Sequence, residues 1–213
     1  MIRHPARFSD PILEAVRGYL PSGADVLDPF AGTGRIHELR DHGFQTVGVE
    51  IEPEWANLHP DTIVGNALAL PFGDASFDAV VTSPCYGNRF ADHHNARDAS
   101  RRRSYRHDLG RPLHSANSGQ LHWGPAYKAF HERVWAEVRR VLKPDGVFVL
   151  NVSNHIRGGV EQPVVQWHCA AACTIGFKLS TGRLVKTQRM RYRQNGKARV
   201  EGEWVLLFRR GGQ

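Results

Sequence analysis

The residues Asp28, Pro29, Phe30, Ala31, Gly32, Thr33 and Gly34 follow a short apolar run and precede a helix-like stretch. Two glycines in a strand-to-helix turn let a ligand approach the backbone where amide groups and a helix N-terminus converge, which suits a nucleotide-type ligand; a plain tight turn would use the same pair. Glu50 ends the next strand-like run, 18 residues beyond Gly32. An acidic side chain at that place accepts hydrogen bonds from ribose hydroxyls in nucleotide-binding βαβ units. The missing third glycine of the dinucleotide spacing argues against NAD. A second polar turn, Thr82, Ser83, Pro84, Cys85, Tyr86 and Gly87, closes a later strand, and the carboxyl ends of parallel strands share one ligand crevice.

The elements that must position these turns are legible in the hydrophobic pattern. Residues 11–20 form an amphipathic helix with Asp10 as its cap and Ile12, Leu13, Val16 and Leu20 on one face. A strand at 24–30, a helix at 35–42 stopped by Gly43 and a strand at 46–51 make a βαβ opening. Further strands are expected at 62–64, 77–82 and 147–152, the last a continuous apolar run of the kind buried on both faces of a parallel sheet. The longest helix is expected at 126–142, where Tyr127, Phe130, Val134, Val138 and Val141 recur at spacings of three and four. A helix at 163–175 and strands at 177–185 and 204–208 follow. No helix separates the last two strands, so they should be antiparallel at one edge. The predicted fold is a doubly wound, mostly parallel α/β sheet with an antiparallel C-terminal hairpin, built as a single domain over residues 1–213.

Composition supports a globular chain: 41% hydrophobic and 23% charged residues exclude a wholly disordered protein. No apolar run reaches the ~20 residues that cross a bilayer, and no apolar signal-peptide core precedes the first charges, so a cytoplasmic protein without a membrane partner is expected. Lys and Arg outnumber Asp and Glu by 28 to 21, a balance that attracts polyanions. Three cysteines, Cys85, Cys169 and Cys173, suit a reducing compartment without disulfides. The histidines match no common zinc spacing, and no metal is expected.

The pairing of Asp28-Pro-Phe-Ala-Gly-Thr-Gly with Ser83-Pro-Cys-Tyr resembles the amino-methylating (cytosine-N4 and adenine-N6) class of S-adenosylmethionine-dependent DNA methyltransferases. The hallmarks of that class are an FxGxG cofactor loop and an [Asp/Asn/Ser]-Pro-Pro-[Tyr/Phe/Trp] catalytic turn. The stretch from Lys143 to Leu150 and that from His4 to Pro11 also look like segments of these enzymes, so the resemblance covers residues 4–90 and 123–210. It implies a Rossmann-like methyltransferase with S-adenosylmethionine as cofactor. Asp28, Phe30, Gly32 and Gly34 would surround its methionine part, Glu50 its ribose, and Asn66 with Ala67 its adenine. Ser83, Pro84, Cys85 and Tyr86 would form the catalytic turn. An exocyclic amine is a poor nucleophile because its lone pair is delocalised into the ring. Accepting its N–H protons at Ser83 Oγ and a backbone carbonyl near Pro84 favours a more tetrahedral nitrogen, while Tyr86 stacks on a base drawn out of the helix.

Cys85 stands where the family has a second proline. One reading is tolerance, since backbone carbonyls still accept hydrogen bonds; the other is a nucleophilic thiolate of the cytosine carbon-5 type, although no Glu-Asn-Val partner motif is found. Serine at the first turn position points to cytosine. Residues 87–124 form a basic insert, expected to be structureless and to serve target recognition, in which Arg89, Arg97, Arg101, Arg102, Arg103, Arg106 and Arg111 would grip phosphate. A charge run is also commonly just a solvated face. The expected partner is DNA, with RNA the less favoured substrate, and a binding module without catalysis is the rival from another class. The absence of a second large recognition domain fits a restriction-modification or solitary enzyme with a short target site.

Overall fold

β1 (Asp25–Asp28) lies between β2 (Gln45–Glu50) and β4 (Phe77–Thr82), with Leu27 opposite both Val47 and Val80. β3 (Thr62–Val64) adds outside β2, and β5 (Leu142–Val152) outside β4, all in parallel. β9 (Gly202–Arg210) then runs antiparallel to β5, and β8 (Phe177–Lys186) antiparallel to β9 at the edge. The seven-stranded order is therefore β3-β2-β1-β4-β5-β9-β8. These relations come from a computed structural model, which describes residues 8–85, 87, 105–157, 159–187 and 200–211.

Alternation along the strands builds two cores. Leu27, Val80, Phe148, Leu150 and Phe208 face one layer, where Val134, Trp135 and Val138 of α4 (Pro125–Val141) and Ala172 of α5 (Val164–Thr174) cover them. Val26, Ala79, Val81, Val149 and Leu207 face the other, under Ile12 and Val16 of α1 (Asp10–Arg17) and Ile36 and Leu39. Burial on both faces explains why residues 79–81 of β4 and 147–150 of β5 are apolar throughout.

The expected βαβ opening and edge hairpin are present, with differences of detail. Ser9 occupies the cap position of α1, and Asp10 sits in the first turn, paired with Arg35. Residues Arg35–His42 form a 3-10 rather than an α-helix, held between two left-handed glycines, Gly34 and Gly43. A short helix, α2 (Pro53–Ala56), follows β2, and a two-stranded ribbon of β6 (His155–Arg157) and β7 (Val160–Gln162) precedes α5. The expectation of a structureless insert fails for its described part. α3 (Tyr105–Leu109) buries Tyr105 against Trp55, and a 3-10 turn at Ser118–Gln120 is capped by Asn117. Among the described residues no helix is long and apolar enough to cross a membrane.

Phe148 is fully buried, with ring centroids 5.1 Å from Trp135 and 5.6 Å from Phe208. Phe148→Ala should destabilise the chain by about 3–5 kcal/mol in denaturant unfolding. Val160→Ala, at a residue 63% exposed, should change it by less than about 0.5 kcal/mol.

Candidate active site at the carboxyl ends of the strands

β1 and β4 adjoin where the strand order turns back, so their carboxyl ends open the crevice of a doubly wound sheet. Asp28 ends β1 and is buried there. Its Oδ1 accepts hydrogen bonds from the Phe30 amide (2.9 Å) and from Thr82 Oγ1 at the end of β4 (2.8 Å). Glu50 ends β2, also buried, and its Oε2 accepts from the Gly32 amide while Oε1 accepts from the Glu52 amide, each at 2.9 Å. The two carboxylates thus pin both ends of the glycine loop. Gly32 and Gly34 take left-handed φ of 54° and 78°, and a Cβ at Gly34 would lie 2.9 Å from the His37 ring. A larger residue there meets both strain and a clash.

Burial pushes both carboxyls up to about 7. Desolvation is the main cause, and the backbone hydrogen bonds only partly offset it; the negative charge of Glu50 adds to the rise at Asp28, and that of Glu52 to the rise at Glu50. A pair of buried carboxyls that titrate near neutral pH, beside a left-handed loop, suits a ligand carrying positive charge and hydroxyl donors. Phe30 lies half-buried against His131 (6.1 Å) and Phe130 (6.4 Å). Beyond β3, the Asn66 side chain accepts from the Leu68 amide and Ala67 is buried, which closes a tight turn at the same end of the sheet.

The turn at Ser83–Cys85 is held from several sides. Asn151, near the end of β5, donates from Nδ2 to Ser83 Oγ at 3.2 Å and to Glu203 Oε2 of β9 at 2.9 Å. Tyr127 of α4 donates its hydroxyl proton to the Cys85 carbonyl at 2.7 Å. The Cys85 thiol donates to Tyr105 Oη at 3.4 Å, and desolvation raises its pKa. The Trp123 amide donates to the Gly87 carbonyl, which brings the far end of the insert back beside the turn. In the sequence Asn151 passes unnoticed inside the apolar run at 147–152, and Tyr127 reads only as part of the apolar face of its helix.

The predicted site residues therefore gather at one edge: Asp28, Phe30, Gly32, Gly34 and Glu50 in one cradle, with Ser83, Pro84 and Cys85 next to it through the Thr82–Asp28 bond. Arg111, expected to grip phosphate, has acidic partners within the protein. Its guanidinium is bound to Glu54, with Nε to Oε1 at 2.7 Å, and pairs with Glu52 at 2.8 Å, so its charge is satisfied within the protein. Glu52, fully buried, also accepts from the His114 amide and Asn117 Nδ2. Arg106 is exposed on α3. Tyr86, Arg89, Arg97, Arg101, Arg102 and Arg103 lie outside the described residues.

A family model described as DNA methylase matches residues 77–213, and one described as methyltransferase domain matches residues 27–102. The chain belongs to the DNA methylase family. No curated protein matches. Solved structures share the fold at low identity. One is a S-adenosylmethionine-dependent methyltransferase from Methanosarcina mazei (TM-score 0.61, 15% identity, 93% of this chain and 98% of that one). Another is the Burkholderia thailandensis 1,6-didemethyltoxoflavin-N1-methyltransferase with S-adenosylhomocysteine (TM-score 0.56, 18% identity, 94% and 76%). A third is a TehB-like methyltransferase from Corynebacterium glutamicum (TM-score 0.52, 17% identity, 92% and 85%). The chain is a S-adenosylmethionine-dependent methyltransferase of Rossmann-like fold. Its site fits that cofactor: a sulfonium, an ammonium and a ribose diol suit two buried carboxyls that ionise readily once cations and donors arrive.

In the methylase without ligand, Asp28 and Glu50 bind protons more tightly folded than unfolded, with pKa values rising from 3.8 and 4.5 to about 7. Their contribution to stability is complete below about pH 4 and is lost as pH rises through about 7. Relative to Glu50→Gln, the wild type should therefore lose about 2–3 kcal/mol of unfolding free energy between pH 4.5 and 7.5. Urea titrations across that range check this; parallel curves would contradict it.

Proposed function

We propose that this methyltransferase transfers the methyl group of S-adenosylmethionine to an exocyclic amino group of a base in DNA, cytosine N4 before adenine N6. The observation that carries the reading is the Ser83–Cys85 turn, fixed at the end of β4 and joined to the Asp28 cradle by the Thr82 hydroxyl. The family match adds support for a DNA substrate. Bound in the cradle, the cofactor supplies an electrophilic methyl group. Asp28 and the loop amides would hold its methionine end, Glu50 its ribose hydroxyls, and the Asn66–Ala67 turn its adenine.

The protein's part in the transfer is positioning. Asn151 fixes the Ser83 side chain, and a hydroxyl oxygen has two lone pairs, so that hold is compatible with accepting an amine proton. The Pro84 carbonyl, next to the Cys85 carbonyl that Tyr127 holds, would be the backbone acceptor for the second amine proton. Two acceptors placed on the amine localise its lone pair and point it toward the methyl group, and such alignment supplies much of the rate. Cys85 does not serve as nucleophile in this reading. Its thiol is directed at Tyr105 and its pKa is raised, whereas carbon-5 chemistry needs a thiolate. The insert over residues 87–124 would read the target, its arginines other than Arg111 contacting phosphate and Tyr86 stacking on the base.

Mass spectrometry of nucleosides tests the reading, using unmethylated DNA treated with the protein and deuteromethyl-labelled cofactor. Label should appear in N4-methylcytosine, or in N6-methyladenine. Cys85→Ser should remain active, and Ser83→Ala should lose about 100-fold in rate. Label in 5-methylcytosine together with a dead Cys85→Ser overturns the amino assignment, and unlabelled DNA overturns the substrate.

A further inference from the structure

Beneath the turn lies a set of buried polar side chains joined to one another by hydrogen bonds. Trp135 and Tyr127 of α4 and His168 of α5 are each fully buried. Trp135 Nε1 donates to His168 Nδ1 at 3.2 Å, His168 Nε2 stands 2.9 Å from Tyr127 Oη, and Tyr127 Oη stands 2.7 Å from the Cys85 carbonyl.

The donor and acceptor chemistry fixes every proton. An indole N–H can only donate, so His168 Nδ1 carries no hydrogen and the neutral imidazole holds its proton on Nε2. A backbone carbonyl can only accept, so the single Tyr127 hydroxyl proton points to Cys85. Tyr127 Oη therefore receives the Nε2 proton of His168, and the bonds run one way from Trp135 through His168 and Tyr127 to the turn. Burial keeps His168 neutral, holding its pKa well below the ordinary histidine range, and neighbouring His131 acts in the same direction. Polar groups this deep are costly unless each is bonded, and such a network specifies one arrangement.

We propose that Trp135, His168 and Tyr127 are positioning residues for methyl transfer. Their hydrogen-bond relay anchors the Cys85 carbonyl and so sets the orientation of the adjoining Pro84 carbonyl toward the target amine. This rests on the reading of the Ser83–Cys85 turn as the amine-binding site. It goes further by placing the control of that turn in two helices behind it.

Tyr127→Phe removes one hydroxyl and leaves the ring packing in place. In the full-length protein it should lower kcat for DNA methylation by about ten- to a hundred-fold, while the cofactor Kd by calorimetry and the DNA KM stay at wild-type values. His168→Gln, whose amide N–H can replace the imidazole donor, should keep most of the activity that His168→Leu loses. Two NMR readouts need no DNA. The His168 imidazole should show its proton on Nε2, and the Cys85 carbonyl carbon resonance should move in Tyr127→Phe. A proton on Nδ1, or an unmoved Cys85 carbonyl, overturns the relay. Both NMR results with unchanged kcat overturn its role in positioning. Wild-type protein that leaves DNA unmethylated contradicts the substrate reading instead, and the NMR results still decide the relay.

Discussion

Two carboxyl groups that water would keep ionised are buried at the ends of adjacent strands, and much of the site's order follows from how they are bonded. Asp28 joins the end of β1 to the end of β4 through Thr82 and turns the chain at Phe30; Glu50 joins the end of β2 to Gly32 and Glu52. The carboxyls hold the glycine loop before any ligand arrives, at the cost of pKa values near 7. A cofactor with positive charge and hydroxyl donors relieves that cost. The same groups that strain the free protein thus favour the bound one, a common bargain at sites prepared for a ligand.

The turn beside this cradle is secured by a different logic. Ser83 is steadied by Asn151, and Cys85 is gripped through its carbonyl by Tyr127 and through its thiol by Tyr105. Where relatives in the resemblance carry a second proline to stiffen the turn, this chain carries cysteine. Two tyrosines from different elements supply restraint that a pyrrolidine ring would otherwise provide. The insert contributes one of them, and its latch onto Glu52 and Glu54 through Arg111 ties it to the segment following Glu50. The described half of the insert is thus part of the cradle's wall.

The strands of the seven-stranded sheet were legible because burial leaves apolar runs with polar stops, whereas their order was not. Phe77–Thr82 was read with both bounds correct, since Ser83-Pro84 ends it chemically as well as structurally. β5 begins earlier than its apolar run because Lys143-Pro144-Asp145-Gly146 reads as a turn, yet Leu142 still pairs with Phe77 across a bulge. The motif residues of the cradle were legible because backbone geometry demands glycine there. The pairing of Arg111 was not legible because its partner Glu54 lies 57 residues away, and a charge run carries no mark of which members are paired. Tyr127, Trp135 and His168 fit the apolar stripes of their helices, so only the packing of α4 against α5 reveals that their polar atoms meet.

Below about pH 7 burial keeps Asp28 and Glu50 mostly protonated in the free protein, and a cofactor that brings positive charge and hydroxyl donors to them should ionise both. Calorimetric titration of S-adenosylmethionine at pH 6, repeated in buffers of different ionisation enthalpy, measures the protons exchanged. Nearly two protons should be released per cofactor bound, and about one fewer in Glu50→Gln. Binding with no proton release, or release unchanged in that variant, would contradict it.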